Sequence, residues 1–217
     1  MPESSALTVI LVRHGNTFEE GVVSTQIGAR SDLALTEKGR EQARLMGEYL
    51  ARQKYLPCAL YAGALQRQTE AVRIIARCLG ADNAVKTGEP ALTEIDYGLW
   101  EGLSTGEIRA GFQAAYDAWT KEGVWPERIF LETRAERREK ITAWLKRLWA
   151  EHGAGRDVLA VSSNGVIREF CTLIPEVWSP CVQSRGVDAL KVNTGNYCEL
   201  ALCGSSLSLL CWNKNPA

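Results

Sequence analysis

The stretch Leu7-Thr8-Val9-Ile10-Leu11-Val12-Arg13-His14-Gly15 joins an unbroken apolar run to a short polar motif. An unbroken run, rather than an alternating one, is typical of a β-strand that is covered on both faces. A second run of this kind, Val158-Leu159-Ala160-Val161-Ser162, also ends in polar residues, Ser163-Asn164-Gly165. We interpret both runs as buried strands that carry polar side chains at their carboxyl ends.

Helical patterns alternate with these and other apolar runs along the chain. Predicted helices follow the N-cap candidate Thr36 and begin near Gly165, and others cover residues 65–79, 105–121 and 134–150. Besides the two runs above, a predicted strand covers residues 58–62, and the tail segments 189–192, 197–202 and 207–212 predict two or three more strands. This alternation predicts an α/β three-layer sandwich, with a mostly parallel central sheet and helices on both faces. We expect residues 1–217 to form a single domain, with a small helical lid insertion at about 104–130.

Composition excludes several classes of protein. The net charge of −1 gives no overall basic field for nucleic acid or an anionic membrane. No apolar run approaches the roughly 18–20 residues that span a bilayer, and the N-terminus lacks the pattern of a signal peptide. The seven cysteines are scattered and form no C-x-x-C pair, so we interpret them as free thiols of a cytoplasmic protein. We expect no metal and no cofactor, no nucleic-acid or membrane partner, and a monomer or homodimer.

The two strand ends could carry chemistry, because ligands of such sheets bind beyond the carboxyl ends of the strands. A neutral imidazole at His14 is a nucleophile if its other ring nitrogen donates to a backbone carbonyl. The guanidinium of Arg13 fits phosphate oxygens, and Gly15 would let a ligand approach the backbone. The tripeptide Arg13-His14-Gly15 is weak evidence by itself, because a structural histidine beside a solvated arginine would give the same sequence.

The rest of the sequence narrows the interpretation. The chain resembles the histidine phosphatase superfamily, the phosphoglycerate mutase-like proteins, in segments that follow the family's order. These segments are Leu11-Val12-Arg13-His14-Gly15-Asn16-Thr17, residues 32–43, Leu65-Gln66-Arg67, residues 94–102, Val161-Ser162 and Gly165-Val166-Ile167-Arg168. The stretch Gly98-Leu99-Trp100-Glu101-Gly102 is closer to the phosphatase branch than to the mutases.

This resemblance implies roles for individual residues. His14 would be the nucleophile, and Arg13 and Arg67 would hold the phosphate. Glu94 would protonate the leaving oxygen, with Glu101 and Asp96 as nearby competitors for that role. We expect the side-chain amide of Asn16 to contact substrate.

The family pattern breaks after the second strand. Ser163 stands where the family normally has a second histidine, and His152 lies before the strand, at the wrong end to replace it. Loss of one preorganised donor to the transition state costs about 10²–10³ in rate. Serine is a neutral donor of shorter reach, and we expect Ser163, Asn164 and the backbone N–H groups of Gly165 and Val166 to contact the phosphate and compensate. Ser163 and Asn164 could instead simply cap the helix, and the two roles do not exclude each other.

A second break concerns Glu20, which stands where the family often has an asparagine of the phosphate pocket, so we expect its carboxylate to point away.

The leading hypothesis is a metal-independent phosphatase, of reduced activity, acting on a small anionic phosphorylated metabolite through phosphohistidine. The alternative is a catalytically impaired phosphate-binding or regulatory protein on the same fold. Within the lid, Trp119 and Trp125 would pack on substrate or on the core. The lid cations Arg109, Lys121 and Arg128 would favour an anion if they face inward.

Overall fold

The computed structural model describes residues 5–216 and shows one six-stranded sheet in the order β3-β2-β4-β1-β5-β6. The strands are β1 (Leu7–Arg13), β2 (Ala59–Ala62), β3 (Val85–Lys86), β4 (Asp157–Ser162), β5 (Tyr197–Cys203) and β6 (Ser206–Lys214). Strands β1 to β4 pair in parallel, and β5 runs antiparallel to both β1 and β6. The prediction of an α/β fold with a mostly parallel sheet is confirmed.

Helices cover both faces of the sheet. They are α1 (Glu37–Arg52), α2 (Gln66–Leu79), α3 (Thr105–Asp117), α4 (Arg134–His152), α5 (Asn164–Cys171) and α6 (Pro175–Arg185). Side chains of β1 alternate between two cores, with Ile10 and Val12 packed among residues of α1 and α2. Val9 and Leu11 pack among residues of α4 and α5 instead. Apolar residues are needed on both sides of this strand, which explains why the run is unbroken.

Local signals set most helix boundaries. The hydroxyl of Thr36 accepts a hydrogen bond from the backbone N–H of Gly39 and caps α1 as predicted. Gly80 ends α2 in the left-handed region, at φ 64°. The predicted helix 105–121 is divided, because α3 ends at Asp117 and a single π-helical turn continues over Ala118–Glu122.

The predicted strand 189–192 is wrong. Residues Val187–Leu190 form a short 3₁₀-helix that follows Gly186, whose φ is 73°. Val187 and Leu190 are both buried, so the apolar pattern reflects a helical turn rather than an extended segment. Three or four apolar residues alone do not distinguish these two conformations.

The arrangement of β1 and β4 places the two polar motifs side by side. The strands are neighbours, Arg13 lies opposite Ser162, and the backbone N–H of His14 donates to the Ser162 carbonyl over 3.0 Å. Among residues 5–216, no helix has the length and apolar character required to span a bilayer.

Candidate active site

A cavity of about 680 Å³ opens beyond the carboxyl ends of β1 and β4. Its wall combines the segment after β1, the start of α5, the loop before β5 and the helical segment 105–120. The sequence-predicted residues on this wall are Arg13, His14, Asn16, Glu94 and Asn164. Four other predicted residues, Gly15, Arg67, Ser163 and Gly165, are not part of this wall.

The imidazole of His14 is buried and held in one orientation. Its Nδ1 lies 2.8 Å from the backbone carbonyl oxygen of Gly15. A carbonyl oxygen can only accept, so Nδ1 carries the proton and the Nε2 lone pair is available for attack. Burial lowers the pKa of His14 well below 6.5, and the charges of Arg67 and Arg13 lower it further. The imidazole of His14 is therefore neutral at neutral pH.

Arg13 and Asn164 are both held by the backbone of one residue, Val192. An Nη1 of Arg13 donates to the carbonyl oxygen of Val192 over 2.6 Å, while the N–H of Val192 donates to the Asn164 Oδ1 over 2.9 Å. Because Oδ1 is the acceptor, the NH₂ group of Asn164 is left as a donor on the cavity wall. The Nε of Arg13 is buried without a partner among residues 5–216.

Arg67 is fully buried at the start of α2. Its two Nη atoms donate to the carbonyl oxygens of Ser31, at 2.5 Å, and Gly28, at 3.1 Å. After burial, the charge of Arg67 is a further cause of the lowered pKa of His14. Arg67 therefore acts on His14 through its charge, although it is not part of the cavity wall.

Glu94 is fixed by the first turn of α5. Its carboxylate accepts hydrogen bonds from the backbone N–H groups of Ile95, at 2.9 Å, and of Gly165 and Val166, both at 3.2 Å. The helix N-terminus favours a negative group at this position. The two α5 N–H groups that the sequence suggested for phosphate are therefore occupied by Glu94.

The other two carboxylates considered for the acid role lie elsewhere. Glu101 accepts hydrogen bonds from the N–H groups of Gly28 and Arg30 and from the Ser31 hydroxyl. Asp96 forms an ion pair with Arg30 at 3.1 Å. Neither carboxylate lines the cavity, so Glu94 is the member of this trio that can meet a substrate.

Ser163 faces away from the cavity. It is almost fully buried, and its hydroxyl accepts a hydrogen bond of 2.9 Å from the side-chain amide of Gln68. It also makes no side-chain capping bond to α5. The predicted substrate contact of Ser163 stays a prediction, and Asn164 is the polar side chain of this motif that reaches the wall.

Two glycines of the motifs serve packing rather than ligand approach. A Cβ on Gly15 would collide with the backbone of Gly39 in α1, including Cα at 2.6 Å. A Cβ on Gly165 would collide with the Tyr97 hydroxyl and lie 2.6 Å from Glu94 Oε1. Gly15 thus lets α1 approach the nucleophile's loop, and Gly165 lets Glu94 reach the helix end.

The lid segment contributes aromatic rather than basic groups. Trp119 lines the cavity and packs edge-on against Trp100 and Phe130, whereas Trp125 lies in the core, where its Nε1 donates to the Glu132 carbonyl. The predicted lid cations Arg109, Lys121 and Arg128 are exposed and absent from the wall.

The wall also contains Arg168 and Lys191, which the sequence patterns did not assign to the site. A signal for Arg168 was present, since it follows Asn164 by four residues on the same helix and therefore lies on the same face. Glu20, expected to point away, is exposed and outside the cavity.

Comparison with known families agrees with this geometry. The model of the histidine phosphatase superfamily, branch 1, matches residues 9–214. The chain belongs to this superfamily. Curated relatives include phosphoserine phosphatase 1 of Hydrogenobacter thermophilus, which is 27% identical over 167 residues, covering 76% of this chain and 75% of the relative. A phosphoglycerate mutase of Gloeobacter violaceus, 2,3-bisphosphoglycerate-dependent, is 27% identical over 164 residues, 74% of this chain and 72% of its own.

Solved structures show the same superfamily fold. A mycobacterial glucosyl-3-phosphoglycerate phosphatase superposes with a TM-score of 0.78 at 24% identity, covering 96% of this chain and 99% of its own. The α-ribazole phosphatase of Shigella flexneri superposes with a TM-score of 0.70 at 20% identity, covering 96% of both chains. The chain belongs to the histidine phosphatase superfamily, and its curated relatives include named phosphatases. Both findings support its classification as a phosphoric monoester hydrolase.

Proposed function

We propose that this chain is a metal-independent phosphatase that hydrolyses a small phosphorylated metabolite through phosphohistidine on His14. The observation that carries the proposal is the orientation of His14, whose Nδ1 is bonded to the Gly15 carbonyl oxygen and whose imidazole lines the cavity beside Arg13. A neutral, oriented imidazole next to a guanidinium is suited to attack on a phosphate ester.

The proposed first step transfers the phosphoryl group to the enzyme. Nε2 of His14 forms a bond to phosphorus while the bond between phosphorus and the leaving oxygen breaks. Glu94 enters this step protonated, gives its proton to that oxygen and is left as the carboxylate, so the alcohol departs neutral. Arg13 and the NH₂ group of Asn164 donate to the phosphoryl oxygens, and the buried charge of Arg67 stabilises the negative charge that they carry.

The proposed second step regenerates the enzyme. Water attacks the phosphorus of phosphohistidine and passes a proton to Glu94, while the bond to Nε2 breaks and the lone pair returns to the ring. Inorganic phosphate then leaves the cavity. Both steps use only side chains that the structure places on or next to the wall.

The position of Ser163 favours a second candidate, a phosphate-binding or regulatory protein with little turnover. Its hydroxyl is bonded to Gln68 and does not supply the donor that a histidine would supply. Such a protein would keep the phosphate pocket and lose the second step, or both steps.

One set of measurements separates the two. Hydrolysis of para-nitrophenyl phosphate is followed between pH 4 and 9 in the presence of a chelator, for the native chain and for His14→Ala. We expect turnover in the native chain, none in the variant, and an acid-labile phosphohistidine in quenched native samples. Binding of inorganic phosphate without turnover or phosphohistidine would support the regulatory candidate instead.

A further inference from the structure

Arg168 occupies an unusual position on the cavity wall. It lies on α5 one turn after Asn164, is 5% exposed, and its Nε is buried without an acceptor among residues 5–216. Its guanidinium carbon lies 4.7 Å from the ring centroid of Trp119. Trp119 is itself fixed edge-on against Tyr97, at 6.0 Å between ring centroids. Arg168 is thus a buried cation that an aromatic face holds in place.

The carboxylate nearest to Arg168 does not satisfy it. Asp188 Oδ1 lies 3.7 Å from the Nη1 of Arg168, beyond hydrogen-bonding distance, and the Asp188 side chain is 68% exposed. An exposed, loosely placed carboxylate contributes little. Lys191 lies on the cavity wall three residues after Asp188, and among residues 5–216 no carboxylate lies within ion-pair distance of it. This part of the cavity therefore has two cations against one weakly engaged carboxylate.

Arg168 is distinct from the groups that we assign to the phosphate. It lies on α5 one helical turn beyond Asn164, and the hydrogen bond that holds Arg13 goes to Val192. Burial lowers the pKa of Arg13 and the charge of Arg168 contributes to this, whereas burial and the charges of Arg67 and Arg13 lower the pKa of His14.

We propose that Arg168 and Lys191 form a second anion subsite, so that the substrate is a phosphate monoester whose alcohol part carries another anionic group. This inference rests on the proposed phosphatase function, because it assigns the first anion, the phosphate, to His14 and Arg13. The second anion is a carboxylate or a further phosphate, either of which accepts paired hydrogen bonds from a guanidinium. It displaces Asp188 from Arg168 and leaves the reacting phosphorus at Nε2.

The test uses a matched set of esters: 3-hydroxypropyl phosphate, 3-phosphooxypropanoate and propane-1,3-diol bisphosphate, with their five-carbon homologues. We expect kcat/KM to be about 10- to 100-fold higher for the carboxylate or bisphosphate ester than for the neutral one, the effect of a hydrogen-bonded ion pair. The better of the two anionic esters identifies the second group.

Single substitutions test whether Arg168 is responsible for the preference for anionic esters. Arg168→Met should bring the ratio of kcat/KM for anionic and neutral esters close to one, and Arg168→Lys should retain part of it. Lys121→Met, which removes an exposed lid cation, should leave the ratio unchanged. Equal kcat/KM for all esters in the native chain, or an unchanged ratio in folded Arg168→Met, overturns the subsite.

A binding experiment tests the second anion subsite independently of the proposed phosphatase activity. Calorimetry with the same esters on His14→Asn, with and without Arg168→Met, measures the preference for a second anion without turnover. Absence of His14-dependent turnover with this preference intact refutes the phosphatase and supports the subsite. His14-dependent turnover with no preference in either assay refutes the subsite alone.

Discussion

The side-chain amide of Gln68 donates to the Ser163 hydroxyl over 2.9 Å, and the same nitrogen donates to the carbonyl oxygen of Leu92 over 2.8 Å. Ser162 also donates to Leu92, at 2.7 Å. Ser163 and Ser162 are therefore a structural link between β4, α2 and the loop that precedes Glu94. This link supports the Glu94 loop.

Ser163→Ala should change stability more than catalysis. Gln68 would lose one acceptor, at a cost of about 1 kcal/mol, while the cavity wall would keep its side chains. We expect the turnover of para-nitrophenyl phosphate to stay within about threefold of the native value, and the urea midpoint to fall. A folded variant whose turnover drops by a factor of about 100 or more would instead place the hydroxyl in the reaction.

Ser163→His should raise turnover and lower stability. The larger ring reaches past the serine position and can donate to the phosphoryl group, a contribution of about 10²–10³ in rate elsewhere. Overpacking beside Gln68 should reduce the free energy of unfolding by about 1–3 kcal/mol. Steady-state kinetics and urea unfolding of the same preparation check both effects, and an unchanged turnover rate in a folded protein would contradict the first.

The lowered pKa of His14 predicts a specific dependence of stability on pH. The unfolded chain protonates His14 as the pH falls through about 6.5, whereas the folded chain keeps it neutral to lower pH. Protons then favour the unfolded chain, so His14 reduces stability by up to about 1.4 kcal/mol per pH unit below 6.5. His14→Asn should flatten this slope between pH 5 and 6.5 in urea unfolding, and an identical slope would refute the buried neutral imidazole.

Glu94→Gln should discriminate between leaving groups. An alkoxide needs a proton to depart and p-nitrophenolate does not, so kcat/KM should fall about 10²–10⁴-fold for an alkyl phosphate and much less for para-nitrophenyl phosphate. Parallel assays with both esters check this. Equal losses would mean that Glu94 only braces α5.

Gly165→Ala should act on the same step through a collision. The new Cβ would meet the Tyr97 hydroxyl and Glu94 Oε1, and would force the carboxylate away from the α5 terminus. We expect alkyl phosphate hydrolysis to fall more than p-nitrophenyl phosphate hydrolysis. The matched control is Gly106→Ala in α3, where the nearest atom is 3.8 Å away and no loss is expected.

Arg137 is predicted to position the Glu94 loop. It is buried, pairs with Glu132 at 2.6 Å, and donates to the carbonyl oxygens of Thr93 and Glu94, at 2.9 and 3.4 Å. Arg137→Met leaves Glu132 short of a partner and should cost about 3–5 kcal/mol of stability. In the folded fraction it should reduce turnover of alkyl phosphates more than of p-nitrophenyl phosphate. Arg138→Met, on the exposed side of α4, should do neither.

The sequence was sufficient for the sheet and most helices, because β1 and β4 are covered on both faces and carry that requirement in unbroken apolar runs. The sequence could not show which way the cations of the predicted lid point. Arg109 and Lys121 are residue types that bind anions, but both are exposed to solvent. The sequence also could not explain why residue 15 is a glycine. The reason is the close approach of the Gly39 backbone, which exists only in the folded chain.

The backbone of Val192 connects Arg13 to Asn164, and it follows all four parallel strands in the order of the chain. Domains fold as the ribosome releases them from the N-terminus onward. The nascent chain can hold His14, Arg67 and Glu94 long before Val192 has left the exit tunnel. The complete cavity wall therefore forms only after the parallel part of the sheet has been made, and a chain cut ahead of Val192 would lack the residue that holds Arg13.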